Sequence, residues 1–258
     1  MADKFFWYEL MTPDPDASRD FYGHVIGWTF AEMPGGDMPY TIISAGERPV
    51  GGMLTLNDDM KAGGARPAWL GYIHVADVDA KVTEIEAAGG KLHLPPRDVP
   101  GAGRIAMLSD PGGAPFYVMD PRPTEGSGEL PPIAPTTSGA FSWHELYAGQ
   151  GQAAAFDFYS GLFGWESMHE MDMGPMGIYR LFGAEGVQLG GMMDKPAHIP
   201  AAFWGFYTTV DGIDAAIGRL KEKGGQVLNG PHQVPGGSWI VQAMDPQGAA
   251  FALTSAKQ

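Results

Sequence analysis

Cysteine is missing altogether from the 258 residues. Its absence excludes a disulfide scaffold, a thiolate metal site and a cysteine nucleophile, and suits a reducing compartment. Basic residues are scarce: 16 Lys and Arg stand against 30 Asp and Glu, a formal charge of −14. That balance repels a phosphate backbone and sets nucleic acid aside as a partner. It also disfavours a strongly anionic ligand unless cations collect locally. No apolar run approaches the length that spans a bilayer. The opening residues, MADKFFWYEL, mix Asp with a single Lys and offer no small-residue cleavage site. Neither a signal peptide nor a membrane is therefore expected, and a cytoplasmic location is. Charged residues, at 18%, are still too few for a disordered chain, and 44% apolar residues suffice for a core.

What is present is said twice. FYGHVIGW, from Phe21, returns as FYSGLFGW from Phe158. WYEL at Trp7 returns as WHEL at Trp143, and VGGM at Val50 as LGGM at Leu189. VADVDAKVTEIEAAGGKL from Val75 matches VDGIDAAIGRLKEKGGQV from Val210, and VPGAGRIAMLSDPGGAPF from Val99 matches VPGGSWIVQAMDPQGAAF from Val234. Ordered matches of this kind identify a tandem duplication. The copies cover residues 1–120 and 139–258. Residues 121–138, rich in Pro, Gly, Ser and Thr, form a linker.

Within a copy the pattern repeats again. Residues 5–11 alternate as a strand should. Asp14 and Asp16 offer N-caps to a helix carrying Ala17, Phe21 and Val25, which Gly27 stops before Trp28. Strands are expected near 28–33, 39–44 and 49–56, with PGGD turning between the first two. A second strand at 69–75, a helix from Asp77 ended by Gly89-Gly90, and strands near 91–94, 104–109 and 114–119 complete the copy. The chain thus reads as four βαβββ modules, an α+β architecture. A lone helix cannot cover a module's sheet, so paired modules should curve mixed sheets around cavities.

The D…A…FY…GW helix, the V-x-x-(V/I)-D-A helix with its GG stop, and the PG.GR…DP.G..F ending resemble the glyoxalase, bleomycin-resistance and extradiol-dioxygenase group, the vicinal oxygen chelate proteins. The tandem, glyoxalase-like branch is the nearest resemblance. It implies a fold that hosts metal-dependent lyases and isomerases, ring-cleaving dioxygenases and drug-binding proteins, so function rests on the site. It also implies metal ligands, usually His and Glu, on the first and last strands of modules. Carried over, the first-strand position falls at Trp7, with Glu9 facing the same way, and at Trp143 with Glu145. The last-strand Glu is replaced by Tyr117 and by Ala252. Leu70 holds a usual His position, with His74 nearby. Glu9, His74 and Glu145 are the candidates for a divalent metal; three ligands and an open position are needed, and no copy offers them.

Glu9 and Glu145 interrupt apolar strands at matching places. They read either as an acid–base pair of sites, with Tyr117 assisting, or as structural carboxylates. Trp7, Trp69, Tyr72 and their counterparts Trp143, Trp204 and Tyr207 read as walls of an aromatic cavity, with core packing as the rival. Trp28 and Trp165 read as core. Arg104 is a candidate for a ligand carboxylate or for a surface ion pair. The GG pairs read as backbone crowding or bulges. The expected function is binding of a small, partly aromatic or carbonyl-containing molecule by a monomer or homodimer, as a lyase or isomerase. The alternative is a non-catalytic sequestering protein, and last an extradiol-type dioxygenase.

Overall fold

The computed structural model describes residues 3–33, 39–122 and 133–258. Its first copy runs β1 (Phe5–Thr12), α1 (Pro15–Ile26), β2 (Thr29–Met33), β3 (Tyr40–Ala45) and β4 (Arg48–Thr55). A short helix, α2 (Asp58–Ala62), leads to β5 (Ala68–His74), α3 (Val78–Ala87), β6 (Lys91–Val99), β7 (Gly103–Ser109) and β8 (Pro115–Pro121). The second copy runs β9 (Phe141–Ala148), α4 (Gln152–Phe163), β10 (Glu166–Asp172), β11 (Ile178–Ala184) and β12 (Val187–Asp194). It ends with β13 (Phe203–Thr209), α5 (Ile213–Glu222), β14 (Gln226–Gln233), β15 (Trp239–Met244) and β16 (Ala250–Ser255). These are the four βαβββ modules of an α+β fold.

The strands form two eight-stranded sheets, ordered β2-β3-β4-β1-β5-β8-β7-β6 and β10-β11-β12-β9-β13-β16-β15-β14. Each module closes its βαβββ path by a parallel pair: β1 with β4, β5 with β8, β9 with β12 and β13 with β16. The remaining pairs within modules are antiparallel.

Local chemistry accounts for the helix ends. The Asp14 carboxylate accepts from Ala17 N–H at 3.0 Å, Pro15 occupies the first helical position, and Gly27 stops α1 at φ 89°. Helix α4 begins at Gly151, which has no side chain to cap it; Asp194 at the end of β12 accepts from Gln152 N–H instead, at 2.7 Å. Helix α2 escapes the sequence reading because it buries none of its residues and so shows no apolar period. Strand β6 runs on through Pro95-Pro96 to Val99, beyond the expected 91–94, because it is an edge strand where missing N–H donors cost little. The PGGD turn and most of the 121–138 linker lie outside the described residues.

The chain divides into two compact units: one of Met1–Phe6, Leu70–Glu129 and Trp143–Gly205, the other of Trp7–Trp69, Leu130–Ser142 and Phe206–Gln258. Each unit therefore joins one module from each sequence copy. In the unit holding the second and third modules, α3 packs against α4; in the unit holding the first and fourth, α1 packs against α5. Both have an aromatic core. One gathers Phe21, Tyr22, Trp28, Trp69, Phe141 and Phe251, the other Phe5, Tyr159, Phe163, Trp165, Phe182 and Trp204. Burial of each such ring contributes about 2–3 kcal/mol. Trp28 and Trp165 also use their indole N–H groups, donating to Gly139 O at 2.8 Å and to Asp3 O at 2.7 Å. They are core residues, as expected.

Candidate functional site

Trp69 and Trp204 belong to these cores and are buried. Each donates its indole N–H to a helix tyrosine, Trp69 to Tyr22 at 2.9 Å and Trp204 to Tyr159 at 2.8 Å. The tyrosines in turn donate to the turn aspartates Asp245 and Asp110, at 2.9 and 3.3 Å. Burial is the main cause that holds both hydroxyls well above their ordinary pKa, with the neighbouring carboxylate adding to it. Burial likewise raises both aspartates.

The polar centre lies elsewhere, on β9, β11 and β12. Glu145 is 7% exposed. One carboxylate oxygen accepts from the Tyr147 hydroxyl at 2.7 Å and the other from the Tyr179 hydroxyl at 2.9 Å. The Tyr179 oxygen accepts from the Trp143 indole N–H at 3.0 Å. Tyr147 stacks on Phe203, ring centres 4.7 Å apart. Burial and the adjacent Glu145 charge hold the Tyr179 hydroxyl well above its usual range, so it stays protonated and neutral. Trp143 and Tyr179 are half-buried. A buried carboxylate is costly unless hydrogen-bonded, and here a phenol covers each oxygen.

The glycine pairs make this arrangement possible. Gly191 faces the Tyr179 ring, and a Cβ there would overlap it; the adjacent Gly190 presses on the His144 carbonyl. In the first copy Gly52 lies under the Tyr40 ring and Gly51 against the Tyr8 carbonyl. The crowding expected of the GG pairs is therefore specific, since it seats a tyrosine across the first strand's carboxylate. Trp7 donates to Tyr40 at 3.0 Å as Trp143 does to Tyr179, and Glu9, 4% exposed, is in register with Gly52. Tyr147, Tyr179 and Tyr40 escaped the sequence reading. The legible signal was that Tyr40 and Tyr179 recur in the duplication beside the GG pairs.

The other candidates disperse. Tyr72 and Tyr117 are in register on β5 and β8, rings stacked 4.2 Å apart at 5°. Tyr207 lies opposite Ala252 and accepts from Gln242. Arg104 is held in a fork by Asp79 and by Asp98, the surface ion pair. His74 sits with Nδ1 3.9 Å from an Asp3 carboxylate oxygen. His144 faces away from Glu145, as strand alternation demands. It stacks on Phe5, ring centres 4.9 Å apart, and its Nδ1–H donates to Leu189 O at 2.6 Å. Burial pushes its pKa down to about 4.

The sequence model of the Glyoxalase/Bleomycin resistance protein/Dioxygenase superfamily matches residues 4–118 and 144–253. The chain belongs to this superfamily. Among its superfamily relatives, the provisionally named glyoxylase CFP32 of Mycobacterium tuberculosis is 28% identical over 249 residues, 96% of this chain and 92% of that one. The anthracycline biosynthesis protein DnrV of Streptomyces peucetius is 29% identical over 273 residues, 98% of this chain and 93% of that one. The Mn(II)-bound glyoxalase of Novosphingobium aromaticivorans superposes with a TM-score of 0.67 at 18% identity, covering all of this chain and 83% of its own. At that identity it shows the shared fold alone.

The Novosphingobium glyoxalase holds Mn(II); in this chain the candidates for a divalent metal are Glu9, His74 and Glu145. Among the described residues no group of three or more His, Asp or Glu side chains comes together as a metal cage. Of the candidates, Glu145 has a phenol on each oxygen, and His74 lies by Asp3. Nor is any helix among the described residues long and apolar enough to cross a membrane.

Proposed function

We propose that this glyoxalase-like protein binds a small, planar, carbonyl-bearing aromatic molecule at the Trp143–Glu145–Tyr147–Tyr179 cluster. The observation that carries this reading is the pair of phenols fixed on Glu145. They hold a carboxylate among aromatic rings, where it can accept a hydrogen bond or a proton from a ligand. A relative named for anthracycline biosynthesis, matched over nearly its whole length, supports a polycyclic aromatic class. In the enzymatic form of the reading, a lyase or isomerase, Glu145 takes a proton from the carbon next to the ligand's carbonyl. The alternative is sequestration without reaction, favoured by both Glu145 oxygens being engaged. The setting is the cytoplasm, as a monomer or homodimer.

Tryptophan fluorescence titrated with hydroxylated anthraquinones and α-dicarbonyl compounds tests binding. Saturable quenching that Tyr179→Phe weakens supports the site, and quenching indifferent to Tyr179→Phe removes it. Product formation lost in Glu145→Gln with binding kept supports the enzyme; a bound compound recovered unchanged supports sequestration.

A further inference from the structure

The unit built from the second and third modules holds a cavity of about 30 Å³ between the turn at Asp110 and Gly112 and the start of α4, walled also by Gly149, Gln150 and Ala155. The other unit has polar groups at the corresponding place. There the Thr12 and Ser18 hydroxyl oxygens lie 2.8 Å apart, and Ser18 donates to Gln247 Oε1 at 3.4 Å. The Gln247 N–H donates to the Asp245 carboxylate at 3.0 Å, and Thr12 and Ser18 are fully buried. The repeat aligns Thr12 with Ala148, Ser18 with Ala155 and Gln247 with Gly112. At one locus, then, the duplicates differ together. Two hydroxyls and an amide side chain in one unit answer to two methyl groups, a hydrogen atom and a cavity in the other.

The walls of that cavity are polar. The point that a Cβ on Gly112 would occupy lies 3.0 Å from Gly149 N, 3.2 Å from Gln150 N and 3.2 Å from Asp110 Oδ1. Asp110 is 3% exposed, and Gln150 Nε2 donates to Pro111 O at 2.6 Å, tying the loop before α4 to the turn. Cavities that stay empty are apolar, whereas a polar one of this size takes about one or two waters. A suitable occupant must donate to a carboxylate and accept from backbone N–H groups, in a space too small for an organic ligand. We propose that the cavity is a hydration site, in which ordered water bonded to Asp110 and to the Gly149 and Gln150 amides replaces the Ser18 hydroxyl and the Gln247 amide of the other unit. Water of this kind binds nearly as well as a direct partner and leaves the buried carboxylate supplied with a donor. The site is independent of the Glu145 reading.

Two measurements test the proposal. In nitrogen-15-labelled protein, the Gly149 and Gln150 amides should show NOE and ROE cross-peaks of opposite sign to the water resonance, the mark of a water held longer than the molecule takes to tumble. Ala155→Val should abolish them by filling the space. Melting temperatures of Ala155→Ser and Ala155→Val give the second reading, because serine and valine have similar helix propensity and the comparison cancels it. In a hydrated cavity the serine hydroxyl takes over the bonds of a displaced water, while valine displaces water and returns none. Ala155→Ser should therefore melt near the parent and Ala155→Val about 2–5 °C lower. A dry cavity reverses the order, since valine then fills a void and serine buries an unpartnered hydroxyl. Cross-peaks missing at both amides, or Ala155→Val melting above Ala155→Ser, overturn the proposal.

Discussion

The Tyr22 hydroxyl donates to Asp245 at 2.9 Å across 223 residues of sequence. Tyr159 does the same to Asp110 at 3.3 Å. Each bond fastens a helix from one copy to a turn from the other, and a tryptophan N–H completes the chain behind the tyrosine. The repeated FY…GW and DP.G motifs are thus the two ends of one fastening, made once in each unit.

Removing the Tyr22 hydroxyl should be severe. Tyr22→Phe leaves the Trp69 indole and a buried carboxylate each short of a partner, an expected loss of about 2–4 kcal/mol. Tyr159→Phe should cost less, because its bond to Asp110 is longer. Urea unfolding of the two variants checks the order, and equal losses under 1 kcal/mol would refute the fastening role.

Acid should expose His144. Above about pH 6.5 its ring is neutral folded or unfolded, and it adds no pH dependence. Between there and its folded pKa of about 4, the unfolded chain takes up a proton that the folded chain refuses, so stability falls as pH falls. The expected total is on the order of 3 kcal/mol. His144→Phe retains the stack on Phe5 and loses the Leu189 hydrogen bond. It should be less stable than the parent at pH 7 and should close that gap toward pH 4. Parallel stability curves from pH 7 to pH 4 would rule this out.

Gly191→Ala puts a methyl group where the Tyr179 ring lies. Overpacking of this kind costs about 1–3 kcal/mol, and the displaced ring should release Glu145. Weaker quinone quenching together with a lowered melting temperature is expected. A variant that binds as tightly as the parent would mean that Tyr179 does not organise the site.

Equilibrium dialysis against Mn(II) or Zn(II), followed by elemental analysis, should leave well under one ion per chain. One tightly held ion per chain would show that the donor count has missed a ligand set.

The sequence carried the modules far. The caps at Asp14 and Gly27, the GG stops and the DP.G turns are local chemistry, settled among residues a few positions apart. The candidate site was less legible. Glu145 stood out because a carboxylate in an apolar strand is unusual, but the tyrosines that hold it arrive from β9 and β11 and look like ordinary strand aromatics. Trp69 and Trp204 were ambiguous for the same reason. A tryptophan in a strand has no local mark to say whether its face meets a core or a cavity.

By itself the sequence determined the duplication, the order of elements within each module and the place where each helix stops, because these depend on steric and hydrogen-bonding preferences of neighbouring residues. Only the tertiary structure decided which modules pair. Tyr22 could meet Asp110 or Asp245 by the same chemistry, since the duplication supplies both with the same surroundings in sequence. Long-range packing alone breaks that tie: α1 lies on α5, and the aspartate beneath it is the one from the other copy.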